Sequence, residues 1–195
     1  AFEESISLNL LHFHYAGGLR FWSNKNSIVL GLSEKIRDCI NEETIRSFSD
    51  IYPQIQDTKN QSTRVPFIAR RSSGGGTVFH DVNSNINYSV FISLEKKSEM
   101  YPIKTSYEVI LSFVIKALRI QNIEVFMEGK SDLAIISQGV KKKISGNAQF
   151  RKKNCLAHHG TILLNTDIIE KIKSNLSHPK EEPGYREKRL HENFI

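Results

Sequence analysis

Cysteine is scarce in this chain: among 195 residues only Cys39 and Cys155 occur. Two thiols are too few for a disulfide framework and suit a reducing compartment. Long hydrophobic runs are missing as well. No apolar stretch approaches the ~20 residues that span a bilayer, so no membrane partner is expected. The opening Ala1-Phe2-Glu3-Glu4 has no basic region followed by an apolar one, and no signal peptide is read there. Internal repeats and low-complexity linkers are absent. The chain also opens without methionine and stops at the hydrophobic Asn193-Phe194-Ile195, so residues are expected to be missing at both ends.

What remains is the composition of an ordinary globular protein, long enough for one domain with a real core. Its net charge of +6 points to an anionic partner. Lys141-Lys142-Lys143 and Arg151-Lys152-Lys153 concentrate that charge. Solvated loop charge explains such clusters equally well. Nucleic acid is not expected, because no binding module is present and few aromatics interleave with the basic clusters.

The most informative stretch is Arg70-Arg71-Ser72-Ser73-Gly74-Gly75-Gly76-Thr77-Val78-Phe79-His80-Asp81. Each glycine costs roughly 0.5–1 kcal/mol of extra backbone entropy inside a helix or strand. Three together make sense where the backbone turns sharply and approaches a ligand. Exposed amides flanked by guanidiniums cradle phosphate or carboxylate. A tight hairpin is the plainer reading of the same glycines. The loop is not a P-loop, which opens a helix with Gly-Lys-Ser/Thr, and it lacks G-x-G-x-x-G.

The chain reads as a strand-rich α+β domain. Leu19–Trp22 and Ser27–Gly31 suggest a strand pair turning at Asn24-Lys25-Asn26. Glu34–Phe48 suggests a polar helix, and Asp50–Thr63, with Pro53, a loop. Val65–Arg70 feeds the glycine loop, Thr77–Phe79 leaves it, and Ile86–Leu94 alternates as a central strand. In Thr105–Arg119, Val109, Ile110, Phe113, Val114, Ala117 and Leu118 share a helical face. Ile123–Phe126, Leu133–Ile136, Lys142–Ser145 and Thr161–Leu164 are further strands, and Ile168–Leu176 is a helix capped by Asp167.

Three more blocks follow the glycine loop: Gly129-Lys130-Ser131-Asp132-Leu133, Lys143-Ile144-Ser145-Gly146-Asn147-Ala148-Gln149, and His158-His159-Gly160-Thr161-Ile162-Leu163-Leu164. In order and spacing, with Phe21–Gly31 in front, these blocks resemble the lipoate–protein ligase family from about Glu4 to Thr166. The resemblance implies a single catalytic domain over residues 1–178, of the biotin/lipoate ligase type. Its central sheet would be mixed, mostly antiparallel, and flanked by helices, with a tail at 179–195. It implies an ATP- and Mg2+-dependent ligase that activates lipoate or octanoate as an acyl-adenylate. The acyl group would pass to a lysine of lipoyl domains, those of 2-oxoacid dehydrogenase E2 subunits and the glycine cleavage H protein. An accessory ligase domain or subunit belongs to that picture. So does a cytoplasmic location, or the mitochondrial matrix in a eukaryote.

Activating an acid with ATP brings two anions together, so fixed cations and amide donors must be preorganised in a dry pocket. By resemblance Lys143 is the catalytic clamp, protonated and touching both acyl carbonyl and α-phosphate. Arg71, with the backbone of Gly76, Thr77, Val78 and Phe79, matches positions that contact nucleotide and acyl group. Arg70, Ser73, Gly74 and Gly75 complete that loop. Asp132 matches a position near the adenylate and the magnesium ion, although Ser131 replaces the asparagine often found beside it. Gly146 and Ala148 are small where a ligand lies close, and His80, His159 and Thr161 belong to the acyl pocket. His158 and His159 face opposite ways on a strand, and no cysteine or acid stands at metal spacing, so zinc is not expected. His80-Asp81 suggests a dyad, but a packed, hydrogen-bonded role is favoured. Val82-Asn83-Ser84-Asn85 departs from the family's short x-Gly-Asn. Burying roughly seven acyl methylenes at ~0.8 kcal/mol each supplies several kcal/mol, with Ile86–Leu94 and Leu133–Ile136 expected as the tunnel wall.

The main alternative is an acyltransferase of the same fold that takes octanoate from acyl carrier protein through a cysteine thioester. It would need an activated thiolate. Cys155, between Lys153 and His158, is the candidate, since that setting can lower a thiol's pKa. A non-catalytic acyl- or nucleotide-binding protein is a minor alternative.

Overall fold

Alternating polar and apolar residues in the middle of the chain build one large antiparallel sheet. The computed structural model describes residues 2–51 and 66–179, with Gly184, Leu190 and Ile195. Most of the expected Asp50–Thr63 loop, Val65 and most of the tail after Pro179 lie outside the described residues. The sheet joins β1 (Gly17–Trp22), β5 (Asn85–Ser93), β9 (Cys155–Leu163), β8 (Val140–Lys152), β7 (Asp132–Ser137) and β6 (Phe126–Glu128) in that spatial order. Every pairing in it is antiparallel.

A smaller sheet holds the glycine loop. It sets β2 (Ser27–Leu30) between β3 (Phe67–Arg70), which runs parallel to it, and β4 (Val78–His80), which runs antiparallel. The mixed character expected of the fold therefore resides in this second sheet. The expected strand pair is corrected here. Leu19–Trp22 belongs to the large sheet and pairs with β5, whereas Ser27–Leu30 is the centre of the small one.

Helices cover both faces of the large sheet. On one side lies α1 (Phe2–His12), which the sequence reading did not anticipate; its Leu10 packs on Phe91, Cys155 and Ala157. On the other lies α4 (Ile103–Ile120). Its Ile110 meets Leu94 and Leu156, and its Leu111 meets Val125 and Leu133. The helix face differs from the expectation: Phe113 and Ala117 are exposed, while Leu111 is wholly buried. The helix read over Glu34–Phe48 is two, α2 (Ile36–Cys39) and α3 (Glu42–Ile51), because Ile40 leaves the helix to bridge Leu176. After β9 comes α5 (Asp167–Asn175), whose Ile168 and Ile172 close a core with Ile28, Leu30 and Phe79. Asp167 is its first residue rather than its cap; the Asp167 amide donates to Asn165 Oδ1.

Candidate active site

The glycine loop takes its shape from two arginines that turn to backbone carbonyls. Arg71 donates from Nη1 to the Val29 carbonyl and from Nη2 to the carbonyls of Gly74 and Gly76, at 3.2, 2.8 and 2.7 Å. Its Nε donates to Ser73 Oγ at 3.0 Å. Arg70 holds the neighbouring turn by donating from Nη1 to the carbonyls of Gly31, Leu32 and Glu34. A trans peptide points its N–H opposite to its C=O, and no peptide bond among the described residues is cis. With the Gly74 and Gly76 carbonyls turned to Arg71, the amides of Gly75 and Thr77 face away from the guanidinium. That is the geometry of an anion cradle. Gly75 has φ +86, a left-handed conformation suited to glycine. Burial lowers the Arg71 pKa, and the negative charges of Glu34 and Glu3 oppose that shift.

Facing this loop is a residue placed by an irregularity that no periodicity reveals. Leu133 pairs with Ser145, but the next residue, Ala134, pairs with Lys143. Ile144 is the extra residue of a β-bulge, packed with Leu111, Val125 and Leu133. A bulge resets the alternation of a strand. Here it brings Lys143 onto the face that carries Gly146 and Asp132. Lys143 Nζ lies 2.6 Å from Asp132 Oδ2, whose side chain is 5% exposed. Gly146 leaves room for the lysine: a Cβ there would stand 3.0 Å from Nζ.

A cavity of about 690 Å³ opens between these parts. Arg71, Gly75, Gly76, Thr77, Val78, His80, Asp132, Lys143, Gly146, Ala148, His159 and Thr161 all line it. Arg70 and Ser73 line a second cavity of about 300 Å³ instead, and Gly74 lines neither. Phe79 turns into the core beside Ile28. The expected tunnel wall is corrected as well. Leu133 packs under α4, and of β7 only Asp132 reaches the cavity; β5 contributes Asn87.

His80 is a bracing residue. Its Nδ1 pairs with Asn24 Nδ2 and its Nε2 with Thr161 Oγ1, both at 3.2 Å, and Thr161 donates to Asn87 Oδ1. Burial, with the positive charge of Arg71, pushes its pKa down to about 4. Asp81 points away to Lys171 of α5, at 2.6 Å, and accepts from Ser84 and the Asn83 amide. His158 lies on the opposite sheet face beneath Tyr107, and burial lowers its pKa to about 3.

Several lining residues escaped the sequence reading: Glu3, Trp22, Glu34, Asn87 and Asn147. Glu3 comes from α1, where only Ile6 and Leu10, four residues apart, hint at a packed helix. Asn87 is 1% exposed, and its Nδ2 is the one buried side-chain polar atom without a partner among the described residues. An orphaned buried donor at a cavity wall fits an anionic or carbonyl group. No group of three or more metal-binding side chains occurs among the described residues; Asp132 is the cavity carboxylate paired with Lys143.

Residues 1–192 match the family described as the lipoyl protein ligase A/B catalytic domain. Lipoate-protein ligase A of Blochmanniella floridana is 32% identical over 151 residues, which are 77% of this chain and 37% of that protein. The chain thus spans little more than a third of the length of this curated relative. A bipartite lipoate protein ligase of Thermoplasma acidophilum, described with its E2 lipoyl domain, superposes with TM-score 0.68 at 20% identity, covering 100% of this chain and 69% of that one. A lipoate-protein ligase A bound with ATP gives TM-score 0.63 at 20% identity, covering 100% and 73%. At such identity the two structures bear on the fold.

Proposed function

The chain belongs to the lipoyl protein ligase A/B catalytic-domain family, and from that premise we propose that its cavity activates lipoate or octanoate with ATP and passes the acyl group to a lysine of a lipoyl domain. The observation that carries this reading is the placement of Lys143 and the glycine-loop amides on one cavity wall system. Attack of a carboxylate on the α-phosphate gathers negative charge, and preorganised donors stabilise it. Lys143 supplies the cation, held in place by Asp132. The Gly75 and Thr77 amides supply donors for phosphate oxygens, and Asn87 Nδ2 a donor for the acyl carboxylate. Magnesium would be held by Asp132 together with the nucleotide phosphates, since this ion often takes one or two carboxylates and keeps its other ligands from substrate and water. Arg70, Arg71 and Ser73 act by shaping the loop, and His80, Thr161 and His159 by bracing the acyl side.

The partners of this reading are the lipoyl domains of 2-oxoacid dehydrogenase E2 subunits and the glycine cleavage H protein. An accessory domain or subunit would complete the enzyme, and a cytoplasmic or mitochondrial-matrix setting suits the two free thiols.

The cysteine-thioester alternative loses support from the site. Cys155 is wholly buried against α1, donates to the Ser7 carbonyl, and has its pKa raised by burial, so the lowering expected from its basic neighbours does not occur. Cys39 lines the cavity, but burial and its bond to Glu34 raise its pKa too.

The test is the intact mass of an apo lipoyl domain after incubation under two feeds. One is lipoate with ATP and magnesium; the other is octanoyl acyl carrier protein without ATP. A gain with the first feed, retained in Cys155→Ala, is the expected result. A gain with the second alone would overturn it.

A further inference from the structure

Three side chains from distant parts of the sequence meet at the inner end of the glycine loop. Ser73 Oγ lies 2.6 Å from His159 Nε2, and His159 Nδ1 lies 2.7 Å from Glu3 Oε2. Because the Glu3 carboxylate only accepts, Nδ1 carries a proton, and in the neutral ring Nε2 is left to accept from the serine hydroxyl. Glu3 is itself held: its other oxygen accepts from Ser89, whose oxygen accepts from Trp22 Nε1 at 2.9 Å. Arg71 Nε donates to Ser73 Oγ, a contact that favours an alkoxide there. All three line the second cavity, whose wall also includes Trp22, Val29 and Phe150.

We infer that Ser73, His159 and Glu3 form a serine–histidine–carboxylate relay that lets Ser73 take an acyl group from an activated ester or thioester without ATP. A nucleophile within hydrogen-bond reach of a base, and that base oriented by a third group, is the signature of covalent acyl transfer. His159 Nε2 takes the Ser73 proton as Oγ bonds to the acyl carbonyl carbon. The carbon–sulfur or carbon–oxygen bond of the donor then breaks, and the leaving group departs with that proton. Water or a lysine amine next attacks the ester carbonyl, giving a proton to His159. The Oγ–carbon bond breaks, and Ser73 recovers its proton. Only the choice of a medium-length acyl group rests on the ligase reading.

The experiment uses p-nitrophenyl octanoate, with neither ATP nor magnesium. The expected result is a stoichiometric burst of nitrophenol and a mass gain of one octanoyl group, mapped to the peptide carrying Ser73. Ser73→Ala abolishes the adduct. His159→Gln slows acylation by about 10²-fold or more. Glu3→Gln slows it less and alters the pH profile, because the amide lacks the negative charge that stabilises the imidazolium formed during transfer. No adduct, or acyl on Lys143, Cys39 or another residue, overturns the relay, as does wild-type burst kinetics in Ser73→Ala. If Ser73→Ala fails to fold, the mapped adduct on the wild-type chain decides. ATP-dependent transfer of free octanoate, assayed separately, can fail while the adduct forms, so the two readings fall independently.

Discussion

The backbone of Gly31 runs so close to Gly75 that a Cβ on Gly31 would stand 1.8 Å from the Gly75 carbonyl oxygen. The turn after β2 and the glycine loop are thus packed main chain to main chain, and Arg70 and Arg71 fasten each side. Gly31→Ala must push the loop away from β2. Overpacking of this kind costs typically 1–3 kcal/mol, and the displaced amides lose their register. The expected outcome is a lowered melting temperature together with loss of nucleotide affinity, read by thermal unfolding and calorimetric titration with ATP. Unchanged affinity would show that the loop amides do not hold the nucleotide.

Lys143 and Gly146 separate charge from placement. Lys143→Ala removes the clamp, and loss of a preorganised transition-state donor lowers rate by about 10²–10³-fold. The fold is expected to survive with a lowered melting temperature, because the Asp132 carboxylate, 5% exposed, loses this cation. Gly146→Ala keeps the lysine but sets a methyl against its Nζ, so activity falls while the charge persists. Measuring transfer and melting temperature for both variants checks this. Normal activity in Lys143→Ala, or its unfolding, would remove the assigned role.

Much of this arrangement is legible in the sequence, and the reasons differ by residue. Three consecutive glycines behind two arginines announce the turn between β3 and β4, and alternation over Ile86–Leu94 announces a central strand. The position of Lys143 is not legible from alternation, because the bulge at Ile144 changes which side chains share a face. The role of the arginines is also hidden. Charge next to glycines suggests contact with an anion, whereas both guanidiniums turn to backbone carbonyls and shape the loop. Glu3 escaped notice because a short helix with one buried stripe shows little periodicity, and its meeting with His159 spans 156 residues of sequence separation.

Two buried histidines make stability depend on pH. His80 and His158 have folded pKa values of about 4 and about 3, against about 6.5 in an unfolded chain. Depressed values mean that the unfolded chain takes up protons first as pH falls. Their contribution is therefore fully present above about pH 6.5 and declines below it, by about 1 kcal/mol per pH unit for each ring. The His80 share levels off near pH 4 and the His158 share near pH 3. Melting temperature is expected to drop between pH 7 and pH 5, and His158→Gln to remove about half of the drop. A flat profile in the wild-type protein would contradict neutral buried rings.

Asn87 offers a cleaner probe of the acyl side than any charged residue. Its Oδ1 accepts from Thr161 at 2.7 Å and from Asn85 Nδ2 at 3.4 Å, while its Nδ2 has no partner among the described residues. Asn87→Asp keeps an oxygen for both accepted bonds, removes the donor, and sets a negative charge where an acid should bind. A lost hydrogen bond to a charged group is worth about 1.5–3 kcal/mol, so affinity for octanoate or lipoate should weaken by at least about tenfold. Asn87→Ser, with a shorter donor, should fall between the two. Titration of each variant with the free acid checks the order. Equal affinity in the wild-type and Asp variants would place the carboxylate elsewhere in the cavity and free Asn87 from any role beyond bracing Thr161.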